Sequence, residues 1–597
     1  MHETLMHEYV EGCMIIHRKG RAARHALGRC LDSVRGALRQ YSPVPPEPGV
    51  AATPSRIPID LRRLPWVKPL VVDYASHYER LSEFYAGDPR DPQAWRDAIA
   101  RSQRHPRPRQ AVTEILEAQQ RRRGAAPEAL AATDRLRRPD TVAVVTGQQA
   151  GLFGGPLFTL LKAMTAIQLA RQVEAQHGVP AVAVFWIDAE DHDWDEVKSC
   201  RVLDAELTPR ILDVGSPQGA GSEPVARLCL DDGIERVIAD LASALPHTEF
   251  SAPLVDTIRA AYRSGISMAD AFGRWLDSLL GPRGLIVFDA ADPRAKPLVV
   301  DLFVAEIQRP GETAQLATKA GEALQRQGYS AQVVTQPGTS ALFDLRRGRK
   351  PIRVQDASLP QFEDGGGVTS QEALVARVRS APSEFGPNVL LRPVVQDALF
   401  PTVCYVAGPN ELAYLGQLRE VYGAFGVPMP LMYQRATATL LDAGAARFLS
   451  RHNLPLDSLR ARDESALNRL LEAQLPADVE RSLHDLSGML DEQMGRVAAS
   501  VARVDTTLEG AVRSWLGRVQ DDLKKLHGKV VQAEKRKDET LRRQFRQAQA
   551  QAFPDGHPQE REIGFVYFLN KYGPALVDRL ADELSPPEMG THVVLIL

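Results

Sequence analysis

Two segments carry most of the chemistry in this chain. VAVVTGQQAGLFGGPLFTLLKA, from Val142 to Ala163, interrupts an apolar run with glycines and two amides. AVAVFWIDAEDHDWDEV, from Ala181 to Val197, ends an apolar run in Asp188, Glu190, Asp191, His192, Asp193, Asp195 and Glu196. In the first, Gly147, Gly151, Gly154 and Gly155 would let the backbone approach a ligand, and the helix start after them would offer free N–H groups to a phosphate or carboxylate. Gln148 and Gln149 add amide donors and acceptors. Lys162, about two turns into that helix, could reach an anion or sit on the surface. The loop fits neither G-x-x-x-x-G-K-[ST] nor G-x-G-x-x-G, so a P-loop or dinucleotide site is not indicated.

The second segment is too acidic to stand without compensation, so a cation, an amine or a shared proton must relieve it. Three readings compete. His192 could act as a general base or donate to a developing oxyanion. Glu190 and Asp191 could hold a substrate ammonium group or Mg²⁺. The third reading is a solvated acidic loop that caps the next helix. Zinc ligation by His192 is disfavoured because no second histidine stands at ligand spacing, and no zinc site is expected. Trp186, just ahead of the cluster, is counted with the binding residues, as is Asp193. A third constellation, LRPVVQDALFPTVCYVAGPNELAY, runs from Leu391 to Tyr414. It places Arg392 directly after an expected strand, Gln396 and Asp397 before Pro401, and Gly408, Pro409, Asn410 and Glu411 after another apolar run. Arg392 could pair a carboxylate bidentately, or these groups could form buried structural pairs.

Elements must hold these groups together. Val142–Thr146 and Val182–Ile187 read as strands buried on both faces of a parallel sheet. Pro156 suits the first turn of a helix between them, and Gly178 with Pro180 ends it. A right-handed βαβ unit makes the strands parallel and brings the glycine loop and the acidic cluster to one carboxyl edge, where open α/β sheets bind ligands. Further strand-like runs stand at 284–289, 331–335, 341–345, 351–354, 388–392 and 402–407, and Asp289 and Asp292 would add a third acidic tip. The economical reading is a doubly wound parallel sheet within 56–455, carrying insertions at about 204–280 and 305–385. Residues 1–55, ending in a proline-rich stretch, read as a poorly ordered extension. The run LEAQQRRRG reads as a solvated helix face. From Asp478 apolar residues recur in steps of three and four, near the straight-helix period of ~3.6, which predicts an antiparallel hairpin of about 478–504 and 507–551. A capping box at Thr506 to Glu509 would start its second helix. The arm at 456–552 would mediate dimerisation or pack on its own chain, and 553–597 would pack on the core.

At 597 residues, two to four domains are expected. Lys plus Arg number 72 and Asp plus Glu 75, so no global field recruits nucleic acid or an anionic membrane. No apolar run is long enough to span a bilayer. The five cysteines are scattered and odd in number, which fits reduced thiols in a cytoplasm.

These motifs resemble the bacillithiol-biosynthesis cysteine-adding enzymes, the BshC family. TGQQAGLFGGPLFTLLKA, VFWIDAEDHDWDEV, RPVVQDALFPTVCYVAGPNELAY, MPLMYQR and AEKRK carry the resemblance, over approximately residues 56–597. It implies a Rossmann-like core with two connecting-peptide insertions and a coiled-coil arm that forms a homodimer. The implied reaction joins the carboxyl group of L-cysteine to the amine of glucosaminyl malate, with ATP and accompanying Mg²⁺ as the expected activating nucleotide. In that mechanism Glu190, Asp191 or Asp193 would hold the cysteine ammonium or Mg²⁺, and His192 and Lys162 would donate to developing phosphate charge. Alternatives are an amide ligase or nucleotidyltransferase acting on another amino acid and amine, and a nucleotide-binding dimeric scaffold.

Overall fold

The computed structural model describes residues 55–334, 336, 338–356, 361–472, 477–505, 507–537, 539–585 and 587–597. The extension read at residues 1–55 therefore lies, apart from Ser55, outside the described residues. Five strands form the central sheet: β1 (Val142–Gln148), β2 (Ala181–Ile187), β3 (Leu285–Asp289), β4 (Thr402–Ala407) and β5 (Leu431–Gln434). All neighbours are parallel, in the order β5-β4-β1-β2-β3. The chain steps outward from β1 through β2 to β3, then returns to the other side of β1 for β4 and β5. Strand order reverses between β1 and β4, and a crevice opens there beyond the strand ends. Strands β2 and β4 are buried along their whole length, which accounts for their continuous apolar sequence.

Helix α1 (Leu157–His177) makes the β1–β2 crossover, with Pro156 at its N-cap and Gly178 in the left-handed conformation at its end. It is buried almost all round, including Lys162. Between β2 and β3 lie an antiparallel hairpin (Ser199–Leu203 with Pro209–Asp213) and helices Gly233–Ala244, Ser251–Ala261 and Met268–Leu280. Between β3 and β4 the chain builds a five-stranded antiparallel sheet from Thr339–Asp344, Lys350–Asp356, Gln361–Asp364, Gly367–Ser370 and Phe385–Pro387.

Two expected strands are corrected. Residues 331–334 are not a strand, and position 335 lies outside the described residues. Residues 388–392 form a turn that leads into helix α2 (Arg392–Leu399). The apolar run Val389–Leu391 imitates a strand, but the Asn388 side chain accepts from Leu390 and Leu391 N–H at 2.9 and 3.3 Å. Pro393 then fixes the first helical turn. Arg392 thus stands at a helix start. Helix α3 (Pro409–Leu415) follows β4 directly.

Beyond β5, Thr437–Leu441 lies parallel to Thr591–Ile596, which is antiparallel to Arg56–Asp60. The last strand of the chain therefore sits between two others. The arm consists of α4 (Ala477–Val501) and α5 (Leu508–Lys537). Gln520 donates to Asp491 at 2.6 Å and His527 meets Glu480 at 2.9 Å, so the helices run antiparallel. The capping residue expected at Thr506 lies outside the described residues; Asp505 accepts from the N–H and hydroxyl of Thr507, both at 2.8 Å. Helix α6 (Glu539–Ala552) leaves the arm and buries Leu541, Phe545, Ala548 and Ala552 in a cluster with Leu441, Ala445 and Phe448.

Candidate active site

A cleft of about 300 Å³ occupies the crevice between β1 and β4. Gly147, Gln148 and Gln149 come from the end of β1, Phe158 and Lys162 from α1, and Asp188 and Asp191 from the end of β2. The α2 and α3 side supplies Arg392, Gly408, Pro409, Asn410, Glu411 and Tyr414, while Arg349, Arg435 and Arg561 reach in from three other elements. The lining is thus crowded with both signs of charge.

Local sequence explains several placements. In G-P-N-E, Gly408 is the N-cap of α3 and Glu411 its third residue, so the Glu411 carboxylate turns back to accept the Gly408 N–H at 2.7 Å. The same carboxylate accepts from Tyr405 Oη at 2.8 Å and pairs with Lys162 Nζ at 2.5 Å. Burial opposes its ionisation, yet Lys162 and these donors together hold the Glu411 carboxyl below its ordinary value. Lys162 also donates to the Gly147 carbonyl and, at 3.2 Å, to Gln148 Oε1. It ties β1, α1 and α3 together at the floor of the cleft.

Arg392 donates to Tyr414 Oη at 2.7 Å and stands 3.3 Å from Asp188 Oδ2. Burial pushes the Asp188 carboxyl above its ordinary value against the pull of Arg392. Asp191 is more heavily engaged. Its Oδ2 accepts from Gln149 at 2.7 Å, and its Oδ1 accepts the His192 N–H at 2.8 Å and lies 3.3 Å from Arg349. Burial acts against its charge, but Arg349 and these donors lower its pKa. His192 is not among the residues that line the cleft but stands against two that are, its side chain 42% exposed, with Nδ1 3.2 Å from both Asp191 Oδ1 and Arg349 Nη1. Arg349 stacks its guanidinium 3.8 Å from the Phe343 ring centre, and its N–H donates to Ser222 O at 2.7 Å. The two insertions therefore meet beside the cleft.

The structure thus gathers Gly147, Gln148, Gln149, Lys162, Asp188, Asp191 and Arg392 around one space. Other expected binding residues have different work. Gly151, Gly154 and Gly155 lie outside the lining, in a loop closed over by later chain. Gly154 has φ +95°, its N–H donates to Tyr262 Oη at 3.1 Å, and a Cβ there would collide with Phe565. The N–H of Leu157, which opens α1, donates to the Ile563 carbonyl at 2.9 Å, so the first donor of this helix start is taken by protein. Glu190 is buried against Lys296, an ion pair away from the cleft lining. Asp193 caps the short helix Trp194–Val197 by accepting from Glu196 N–H at 3.1 Å. Trp186 packs in the core against Phe288, ring centres 5.3 Å apart. Gln396 and Asp397 are fully buried and bonded to each other at 3.0 Å, with Tyr422 Oη on Asp397 at 2.6 Å. Asp289 accepts the Ala291 N–H at 3.0 Å and Asp292 pairs with Arg294, both at the far side of the sheet.

Sequence reasoning passed over Arg349, Arg435, Arg561 and Lys296. Arg435 ends the MYQR run after β5, a strand-end signal of the kind that found Arg392. Arg349 and Arg561 carry no local signal, since each arrives from a distant element.

A family model described as the bacillithiol biosynthesis BshC N-terminal Rossmann-like domain matches residues 57–436. A second, for the BshC C-terminal coiled-coil domain, matches residues 438–597. Among curated relatives, the "Putative cysteine ligase BshC" of Salinibacter ruber is 35% identical over 526 residues, covering 88% of this chain and 96% of that protein. Proteins of the same name from Koribacter versatilis and Symbiobacterium thermophilum are each 32% identical. The first covers 88% of this chain and 97% of its own length, the second 82% and 90%.

Proposed function

The chain belongs to the BshC family, and on that premise we propose that it is an amide-forming ligase. It joins the carboxyl group of L-cysteine to the amine of glucosaminyl malate, completing bacillithiol in the cytoplasm. The observation that carries this reading is the cleft at the switch point, where Asp188 and Arg392 stand side by side within a space sized for an amino acid and a reacting amine. Among the described residues Asp188 has only Oδ2 paired, and its side chain is 29% exposed where it lines the cleft, so Oδ1 is open to a further positive charge. A substrate ammonium group would supply that charge. The fork of Arg392, steadied by Tyr414, suits the cysteine carboxylate.

Joining a free carboxylate to an ammonium ion is uphill in water. ATP with Mg²⁺ would supply the driving force by making one carboxyl oxygen a leaving group. Arg349, which lines the same cleft, is the residue to meet its phosphates. The attacking amine must be neutral, and the proton it sheds needs a base. His192 has Nδ1 engaged by Asp191 and Arg349, while Nε2 has no partner among the described residues. That atom is the one to take the proton. Arm residues Met489, Trp515 and Leu526 are 45–63% exposed, which supports pairing of two chains through α4 and α5.

The test is mass spectrometry of purified protein with cysteine and glucosaminyl malate, with and without ATP and Mg²⁺. Bacillithiol formed only with nucleotide is expected, and Arg392→Lys should lower kcat/KM for cysteine about 10²-fold by losing the fork. Folded protein that makes no bacillithiol under any condition overturns the reading.

A further inference from the structure

A second cavity of about 330 Å³ adjoins the cleft, and Pro409, Asn410 and Arg561 line both. Its walls come from the segment before helix Pro69–Ser76, from the end of the short helix Leu456–Leu459, from Gln559–Glu562 and from the terminal three-stranded sheet. Three cations line it: Lys68, Arg460 and Arg561. Among the described residues none of them pairs with a carboxylate. Lys68 Nζ donates to the Gln332 amide at 2.8 Å, and the Arg460 guanidinium lies 5.4 Å from the Trp66 ring centre. The one carboxylate in the lining, Glu560, is taken bidentately by Arg435 at 2.7 and 3.0 Å and accepts the Ala438 N–H besides. Burial and the nearby Arg561 push the Lys68 ammonium below its ordinary value. Positive charge here is concentrated and uncompensated, beside an aromatic face.

We propose that this second cavity binds a dicarboxylate, with Arg460, Arg561 and Lys68 on its carboxylates and Trp66 against an attached sugar ring. The assignment of that dicarboxylate to the malyl end of the acceptor rests on the ligase reading above. The acceptor would then span both spaces past Pro409 and Asn410, its amine in the cleft and its acidic end on Arg561.

Calorimetric titration of the full-length protein with malate, glucosaminyl malate, glucosamine, inorganic phosphate and ATP tests this. Malate and glucosaminyl malate should bind, glucosamine should not, and Arg460→Ala/Arg561→Ala should weaken both acids at least tenfold at an unchanged melting temperature. If the double variant fails to fold, Arg561→Gln alone, at an exposed side chain, should weaken malate at least threefold. Unaltered affinity in the variants overturns the proposal, as does phosphate or ATP binding that these substitutions abolish while malate binding persists. The two readings fail separately. Malate binding lost in the variant, from a wild type that makes no bacillithiol, keeps the cavity and removes the ligase. Bacillithiol made by the variant with an unaltered acceptor KM does the reverse.

Discussion

Lys162, Glu190 and Arg435 are buried charges that are paired within the protein. Lys162 shows the consequence. The helical position that suggested a phosphate donor places its ammonium beneath the cleft, fixed by Glu411 and two acceptors on β1. Removing one partner of such a pair strands the other in a medium that solvates it poorly, which costs about 3–5 kcal/mol. Lys162→Met should therefore lower the free energy of unfolding by that amount in urea titrations. Lys162→Met/Glu411→Gln should recover a large part of it, because no unpaired charge remains. Equal losses in the single and double variants would contradict the pairing. Glu190 with Lys296 follows the same logic, so Glu190→Gln should act on stability first. The acidic cluster is relieved partly by protein cations, Lys296, Arg349 and Arg392, each from a different stretch of chain.

At the level of elements, a helix start and an arm have roles that local pattern alone mistakes or leaves open. The glycine-rich turn before α1 looks built for a ligand, yet the Gly154 and Leu157 N–H groups go to Tyr262 and Ile563, and Phe565 packs where a Gly154 Cβ would stand. Its flexibility serves close packing of the C-terminal segment against the core. The arm has the opposite character. Its helices half-bury one seam against each other and leave Leu486, Met489, Val497, Trp515 and Leu526 exposed. A second chain would cover such residues. Trp515→Glu/Leu526→Glu should convert a dimer to a monomer in light scattering while the core melting temperature holds. A wild type that is already monomeric at micromolar concentration would defeat that assignment.

For the whole molecule, the closing element is the last strand. Thr591–Ile596 lies between Arg56–Asp60 and Thr437–Leu441, joining chain segments more than 500 residues apart. His592 is buried there, its ring nitrogens 3.0 and 2.9 Å from the hydroxyls of Thr437 and Thr439, and burial drives its pKa down to about 4. Unfolded, the same imidazole titrates near ~6.5, so the unfolded state binds the extra proton between those values. Stability should be complete above pH ~6.5 and fall by about 3 kcal/mol as the pH drops through 4. His592→Gln should flatten that part of the profile measured by thermal melts, and an unchanged slope would show that other groups set it. Much of this architecture was legible in the sequence. Continuous apolar runs at 142–146, 182–187 and 402–407 mark buried parallel strands, since only a sheet covered on both faces needs them. The steps of three and four residues after Asp478 mark paired helices. Gly147 to Gln149, Asp188, Asp191 and Glu411 could be named because residues at the carboxyl ends of such strands share one edge, whereas Arg392 was named from an apolar run that folds as a turn. The chain alone could not say which polar groups face the cleft and which face inward, because that depends on partners hundreds of residues away. Asp397 meets Tyr422, Glu190 meets Lys296, and Ile563 caps α1, so those groups are satisfied inside the fold. Arg349 and Arg561 reach the site only through tertiary packing, which no local period encodes.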